Sequence, residues 1–165
     1  MATYAGVDLG GTNVRTIVGD ETGAELSTYK QRTPQGPTGI TVTEAVLETL
    51  RRACEDGMKR WREGYEVVPA SVNISTMQFR RRNFVQDVES ILEETGLPAH
   101  LLELEVTEGV LLYDAREAIG LMSRLAELGV SVSIDDFGTG YSSLRYLRDL
   151  PASKVKLDIS FIRDI

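Results

Sequence analysis

Cysteine, histidine and tryptophan occur once each in this chain. A lone cysteine, Cys54, leaves no internal disulfide to form, so nothing in the composition asks for an oxidising compartment and a cytoplasmic setting is the expectation. One cysteine and one histidine also cannot close a zinc centre of sulfur and imidazole ligands. That histidine, His100, follows Pro98-Ala99 and reads as a loop surface residue. No apolar run approaches the roughly 20 residues of a membrane-spanning helix, and the opening MATYAGVDLGG lacks the cationic start and apolar stretch of a secretory leader. Clustered cations are scarce as well. The net charge is −7, and the one basic run, Arg80-Arg81-Arg82, reads as a solvated helix start. A partner surface for duplex nucleic acid needs a basic patch to neutralise phosphates, so neither a duplex nor a membrane is an expected partner.

What is present suits one compact domain over residues 1–165, with 42% of the chain hydrophobic. Its style changes near residue 50. Before that point TYAGVDLG, NVRTIVGD and ELSTYKQRT read as three short strands parted by the turn signals Gly10-Gly11-Thr12 and Asp20-Glu21-Thr22-Gly23, an antiparallel meander. The loop TPQGPTG follows, and Thr41 or Thr43 is placed to cap a helix through EAVLETLRRACEDGMKRW. Strands and helices then alternate. Strand 67–74 leads to a helix over 83–95 stopped by Gly96, and strand 101–107 to a helix over 114–128 stopped by Gly129. Strand 130–135 leads to a short helix before Pro151, and strand 154–159 comes last. The expected fold is α/β: a β-meander followed by βα repeats, in a mixed sheet of about seven strands or a partial barrel, with helices mainly on one face. Leu47, Leu50, Trp61, Phe84, Val88, Leu92, Ile119, Leu125, Leu144 and Leu147 are the helix residues expected to meet the apolar strand face.

The four later strands each carry one apolar and one polar face, because strand side chains alternate. Val72, Ile74, Leu102, Leu104, Val106, Val130, Val132, Ile134, Val155 and Leu157 form the apolar side. Ser71, Asn73, Ser75, Glu103, Glu105, Thr107, Ser131, Ser133, Asp135, Lys154, Lys156 and Asp158 form the other. An open sheet with one wet side would tolerate that polar face. A barrel mouth would use it, since Asn73, Glu105, Asp135 and Lys156 lie near the carboxyl ends of successive strands, where barrel enzymes place their chemistry. Oxygen donors of this kind suit Mg²⁺, Mn²⁺ or Ca²⁺. A carboxamide, a glutamate and the adjacent Asp135 and Asp136 around a divalent ion, beside a lysine, would make a water-activating site for phosphoester hydrolysis.

The segments SVNISTMQF, LELEVTEGVLL, SIDDFGTGYSSLRYLRDLP and VKLDISFI resemble, in order and spacing, the central part of the EAL family of cyclic di-GMP phosphodiesterases, which have a TIM-like barrel. That resemblance implies metal ligands at Asn73, Glu105 and Asp135, a metal or water partner at Asp136, a residue near the attacking water at Lys156, and an organiser of loop 137–144 at Glu108. The family's namesake Glu-Ala-Leu strand has no counterpart, since EAVL at 44–47 lies in the predicted helix. Two later strands, carrying a glutamate and a glutamine, are also missing from the pattern. The front of the chain, YAGVDLGGTNVRTIVGDETGAEL through TPQGPTGITVTEAVLETL, resembles the phosphate-binding hairpin and first helix of ROK-type sugar kinases. There Asp8, Gly10, Gly11 and Thr12 match a turn that approaches nucleotide phosphates.

From these two resemblances the expectation is a recombined or engineered hybrid. Residues 1–55 would be kinase-like and 56–165 a half barrel, with a junction inside the helix at about 48–60 and neither catalytic site complete. All the named site residues would then be vestigial. No cofactor is required, Mg²⁺ or Mn²⁺ would bind weakly, and a homodimer closing over the uncovered side of the sheet is the expected assembly. The alternative is a residual module that binds cyclic di-GMP or a divalent metal.

Overall fold

The computed structural model describes residues 2–9, 13–20, 25–32, 40–138 and 150–158, and up to residue 43, and at 45, 66–68, 112 and 113, it describes the backbone alone. Strands β1 (Ala2–Leu9), β2 (Asn13–Asp20) and β3 (Glu25–Arg32) precede the long helix α1 (Ile40–Arg62). Then come β4 (Glu66–Ile74), α2 (Thr76–Phe79), α3 (Phe84–Thr95), β5 (Leu102–Thr107), α4 (Val110–Tyr113), α5 (Ala115–Glu127), β6 (Ser131–Phe137) and β7 (Lys154–Leu157). The strands lie in one sheet in the order β3-β2-β1-β4-β5-β6-β7. The four strands β4 to β7 are parallel throughout. β1 joins β4 in parallel and meets β2 antiparallel.

Local chemistry explains the element ends. Pro69 lies inside β4, where a residue without an N–H cannot serve a ladder. There the β1–β4 register slips, Thr3 facing Val67 and Ala5 facing Ala70, so β4 carries one extra residue. The β4–β5 ladder begins just beyond, at Ala70 opposite Leu102. Asp114 caps α5 by accepting hydrogen bonds from the Arg116 and Glu117 N–H groups, both at 3.0 Å. Gly96 ends α3 at φ 72°, a left-handed conformation, and returns its N–H to the Leu92 carbonyl.

The core lies between the helices and one face of the parallel strands. α1 contributes Val46, Leu50, Ala53 and Cys54, spaced at one helical face; α3 contributes Phe84, Val85, Val88 and Ile91; α5 contributes Ala118, Met122 and Leu125. They meet Val72, Ile74, Leu104, Val106, Val132 and Ile134, all buried. Phe79 of α2 closes one end, its ring 5.7 Å from that of Phe84 and tilted at 51°.

Several expectations change. α1 begins at Ile40, so Thr41 and Thr43 lie inside the helix, past its capping position. Trp61 is 44% exposed, because it sits in the last turn of α1 among Lys59, Arg60 and Arg62. Leu157 is 52% exposed on the short strand β7 and does not join the core. The one-turn helices α2 and α4 are additions, each following the carboxyl end of a strand. Leu144, Leu147 and the helix expected before Pro151 lie outside the described residues.

Cys54 is fully buried, and that burial, reinforced by Glu55 and only partly offset by a hydrogen bond with Thr95, pushes its thiol up to about 12. An unfolded thiol ionises near ~8.5. Stability from the protonated, buried thiol is therefore complete below about pH 8.5 and is lost as pH rises toward 12. The native protein should resist a disulfide exchange reagent at pH 8 and react on unfolding. Its melting temperature should fall between pH 8 and 11, more steeply than that of Cys54→Ala.

Candidate functional site

The register of the parallel strands sets the polar side chains in rows. Ser71, Glu103 and Ser131 are neighbours in one row; Asn73, Glu105, Ser133 and Lys154 are neighbours in the next. Thr107 and Asp135 pair one step further toward the carboxyl ends. Neighbours in register share a face, so all of these side chains stand opposite the helix-packed core.

Between β6 and β7 the register breaks. Ile134 faces Val155 and Phe137 faces Leu157, so Asp135 and Asp136 together stand opposite the single residue Lys156. That is a β-bulge, and it has two effects. It resets the alternation, returning Phe137 to the face of Ile134, where it is buried. It also places Asp136 at φ 54°, a conformation costing an ordinary residue about 1–2 kcal/mol that aspartate tolerates better than most.

Glu108 holds both ends of the bulge. Its backbone N–H donates to the Asp135 carbonyl at 3.1 Å, and its buried carboxylate accepts the Gly138 N–H at 2.8 Å. Gly138 itself sits at φ 101°. This contact fixes the start of the loop that the sequence assigned to Glu108; the loop from 139 onward lies outside the described residues.

The polar face is not a wet face at its centre. Glu103 is 3% exposed, Glu105 is buried, and Ser133 is 0% exposed. Each glutamate is met by a lysine from β7: the Lys154 ammonium lies 2.6 Å from the Glu103 carboxylate, and that of Lys156 lies 2.5 Å from Glu105. Partial burial pulls the Lys156 ammonium down, but the hydrogen bond to Glu105 and the charges of Glu105, Asp135 and Glu103 outweigh it and hold its pKa above the usual lysine value.

Of the expected site residues, the fold brings Asn73, Glu105, Asp135, Asp136 and Lys156 to adjoining positions on β4, β5, β6 and β7, with Glu108 beneath the bulge. Their donor atoms are all oxygen apart from the lysine nitrogen, a set that suits a hard divalent cation. Among the described residues no three acidic, histidine or cysteine side chains are gathered closely enough to hold a metal ion; the Glu105 carboxylate is turned to Lys156 instead. His100 is exposed in a tight turn over Ala99–Leu101, as a surface residue. Asp8 lies in β1 opposite Arg15, and Gly10, Gly11 and Thr12 lie outside the described residues. Among the described residues no helix is long and apolar enough to cross a membrane. Position near a strand's carboxyl end does not single out Glu103, Lys154 and Ser133, which alternation places on the polar face alone. The available signal was a matched pair of patterns, Glu-x-Glu on β5 and Lys-x-Lys two strands away.

The sequence profile of the EAL domain matches residues 41–165. Cyclic di-GMP phosphodiesterase NbdA of Pseudomonas aeruginosa is 52% identical over 116 residues, which cover 70% of this chain and 15% of that protein. The solved structure of PaMucR phosphodiesterase in complex with c-di-GMP superposes with a TM-score of 0.67 at 38% identity, over 74% of this chain and 50% of that one. The EAL domain of Mycobacterium smegmatis DcpA superposes at 0.63 with 34% identity, over 86% and 60%. The chain therefore spans a small part of its curated relative and half to three-fifths of these two structures. The profile match starts at residue 41, inside α1 and upstream of the junction expected at 48–60. These comparisons give no support to a kinase-like front part, to a hybrid or to an engineered origin.

Removing Lys154 leaves Glu103 charged and buried without its counter-ion. Because the Lys154 side chain is 61% exposed, Lys154→Met should cost about 1–2 kcal/mol of stability in urea unfolding, less than the loss of one partner from a fully buried pair. The double variant Glu103→Gln/Lys154→Met should recover most of that loss, so the two single effects will not add.

Proposed function

Because the chain belongs to the EAL domain family, we propose that the carboxyl ends of β4 to β7 form a binding face for cyclic di-GMP and one divalent cation, Mg²⁺ or Mn²⁺. The observation that carries this is the convergence of Asn73, Glu105, Asp135 and Lys156 on four successive parallel strands within the profile match. Two lines of support come from the relatives: NbdA is named a cyclic di-GMP phosphodiesterase, and PaMucR was solved with that nucleotide bound.

Asn73, Glu105 and Asp135 would hold the cation, with Asp136 beside them. When bound, the cation would supply positive charge to the phosphodiester oxygens and acidify a bound water. Lys156 contributes a fixed cation beside the same carboxylates. It already neutralises Glu105, so a divalent ion at Glu105 meets a competing charge and binds weakly. Glu108 keeps Asp135 and Gly138 in place through one hydrogen bond to each. Binding without turnover is the favoured activity, because the Glu105 carboxylate is already paired with the Lys156 ammonium and a weakly held cation acidifies a bound water poorly.

Calorimetric titration with Mn²⁺ and then cyclic di-GMP tests this directly. The wild-type chain should release binding heat and Glu105→Ala should not. Chromatography of the same mixtures should show no linear dinucleotide above a protein-free control. Absence of heat from a folded wild-type protein would overturn the proposal.

A further inference from the structure

β6 lies between β5 and β7 in the sheet, yet both lysine–glutamate pairs join β7 to β5 directly. Adjacent strands are about 4.8 Å apart, so these side chains meet across a gap of about 10 Å and pass over β6 to do so. Lys154 is level with Ser133, and its partner Glu103 is level with Ser131; Glu105 is level with Ser133, and its partner Lys156 stands one step beyond. The two lysine stems therefore run obliquely to either side of Ser133. Ser133 has no exposed surface, although it lies on the polar face, and among the described residues its hydroxyl has no hydrogen-bond partner.

A buried hydroxyl without a partner adds nothing favourable to the fold. What serine supplies at this position is small size. We propose that Ser133 is a positioning residue: its short side chain opens the lane across β6 by which Lys154 and Lys156 reach Glu103 and Glu105. A side chain branched at Cβ would stand in that lane and push both ammonium groups away from their carboxylates, and with them the orientation of Lys156 at the proposed binding face.

The test reads the lysines themselves. At low temperature and mildly acidic pH, ammonium groups held in ion pairs exchange slowly enough to give resolved side-chain nitrogen–proton NMR signals, which Lys154→Arg and Lys156→Arg assign by deletion. Ser133→Ala should retain both signals and raise the melting temperature. Ser133→Thr, which keeps the hydroxyl but adds a methyl group, should lose both while its backbone amide spectrum stays dispersed, and Ser133→Val should do the same. Should Ser133→Val fail to fold, Ser133→Thr carries the comparison. Retention of both signals in Ser133→Thr would overturn the proposal, as would their loss in Ser133→Ala, which would assign the role to the hydroxyl. The readout needs neither metal nor nucleotide, so a failure here is distinct from a failure of cyclic di-GMP binding.

Discussion

Two carboxylates removed from water, Glu103 and Glu105, dictate much of what surrounds them. An ionised carboxylate buried without a counter-ion is strongly destabilising, so the fold must bring a cation to each. The cations come from β7, a strand of four residues at the edge of the sheet. That strand is consequently held twice, by its ladder to β6 and by two ion pairs to β5. The register of β7 is pinned as well, since a slip by one residue would turn Lys154 and Lys156 to the opposite face.

The bulge at Asp135-Asp136 solves a conflict of phase. A regular strand that keeps Ile134 in the core would put Asp136 there too and aim Phe137 at the polar side. One extra residue lets Phe137 be buried and Asp136 be exposed. The strain at Asp136 is tolerable because one residue on the neighbouring strand end, Glu108, fastens the backbone before and after it. Structural and functional demands therefore meet in the same few residues: the aspartates at the bulge are where the strand grammar breaks, and they are also where the proposed cation would bind.

The sequence made the alternating framework legible because its signals are local. Gly96 and Gly129 sit past α3 and α5 as expected, Asp114 caps α5, and the apolar and polar faces of β4, β5 and β6 follow from alternation of side chains. What was not legible depends on sheet order and register. No local pattern says that Lys154 meets Glu103 across an intervening strand, or that Ser133 must be small beneath them. The bulge was hidden for the same reason, since Asp135-Asp136 is two acids in sequence and an irregularity only against β7. Trp61 was misassigned because helical spacing alone ignores that the last turn of α1, with Lys59, Arg60 and Arg62, runs out into solvent.

Strand order has a consequence for how the chain can be assembled. β2 adds beside β1 and β3 beside β2; β4 then takes the free side of β1, and β5, β6 and β7 follow one after another on that side. Every strand thus finds an edge built from earlier residues, and none must be threaded between two strands already paired. A polypeptide leaving the ribosome from its amino end could lay down this sheet in the order of synthesis.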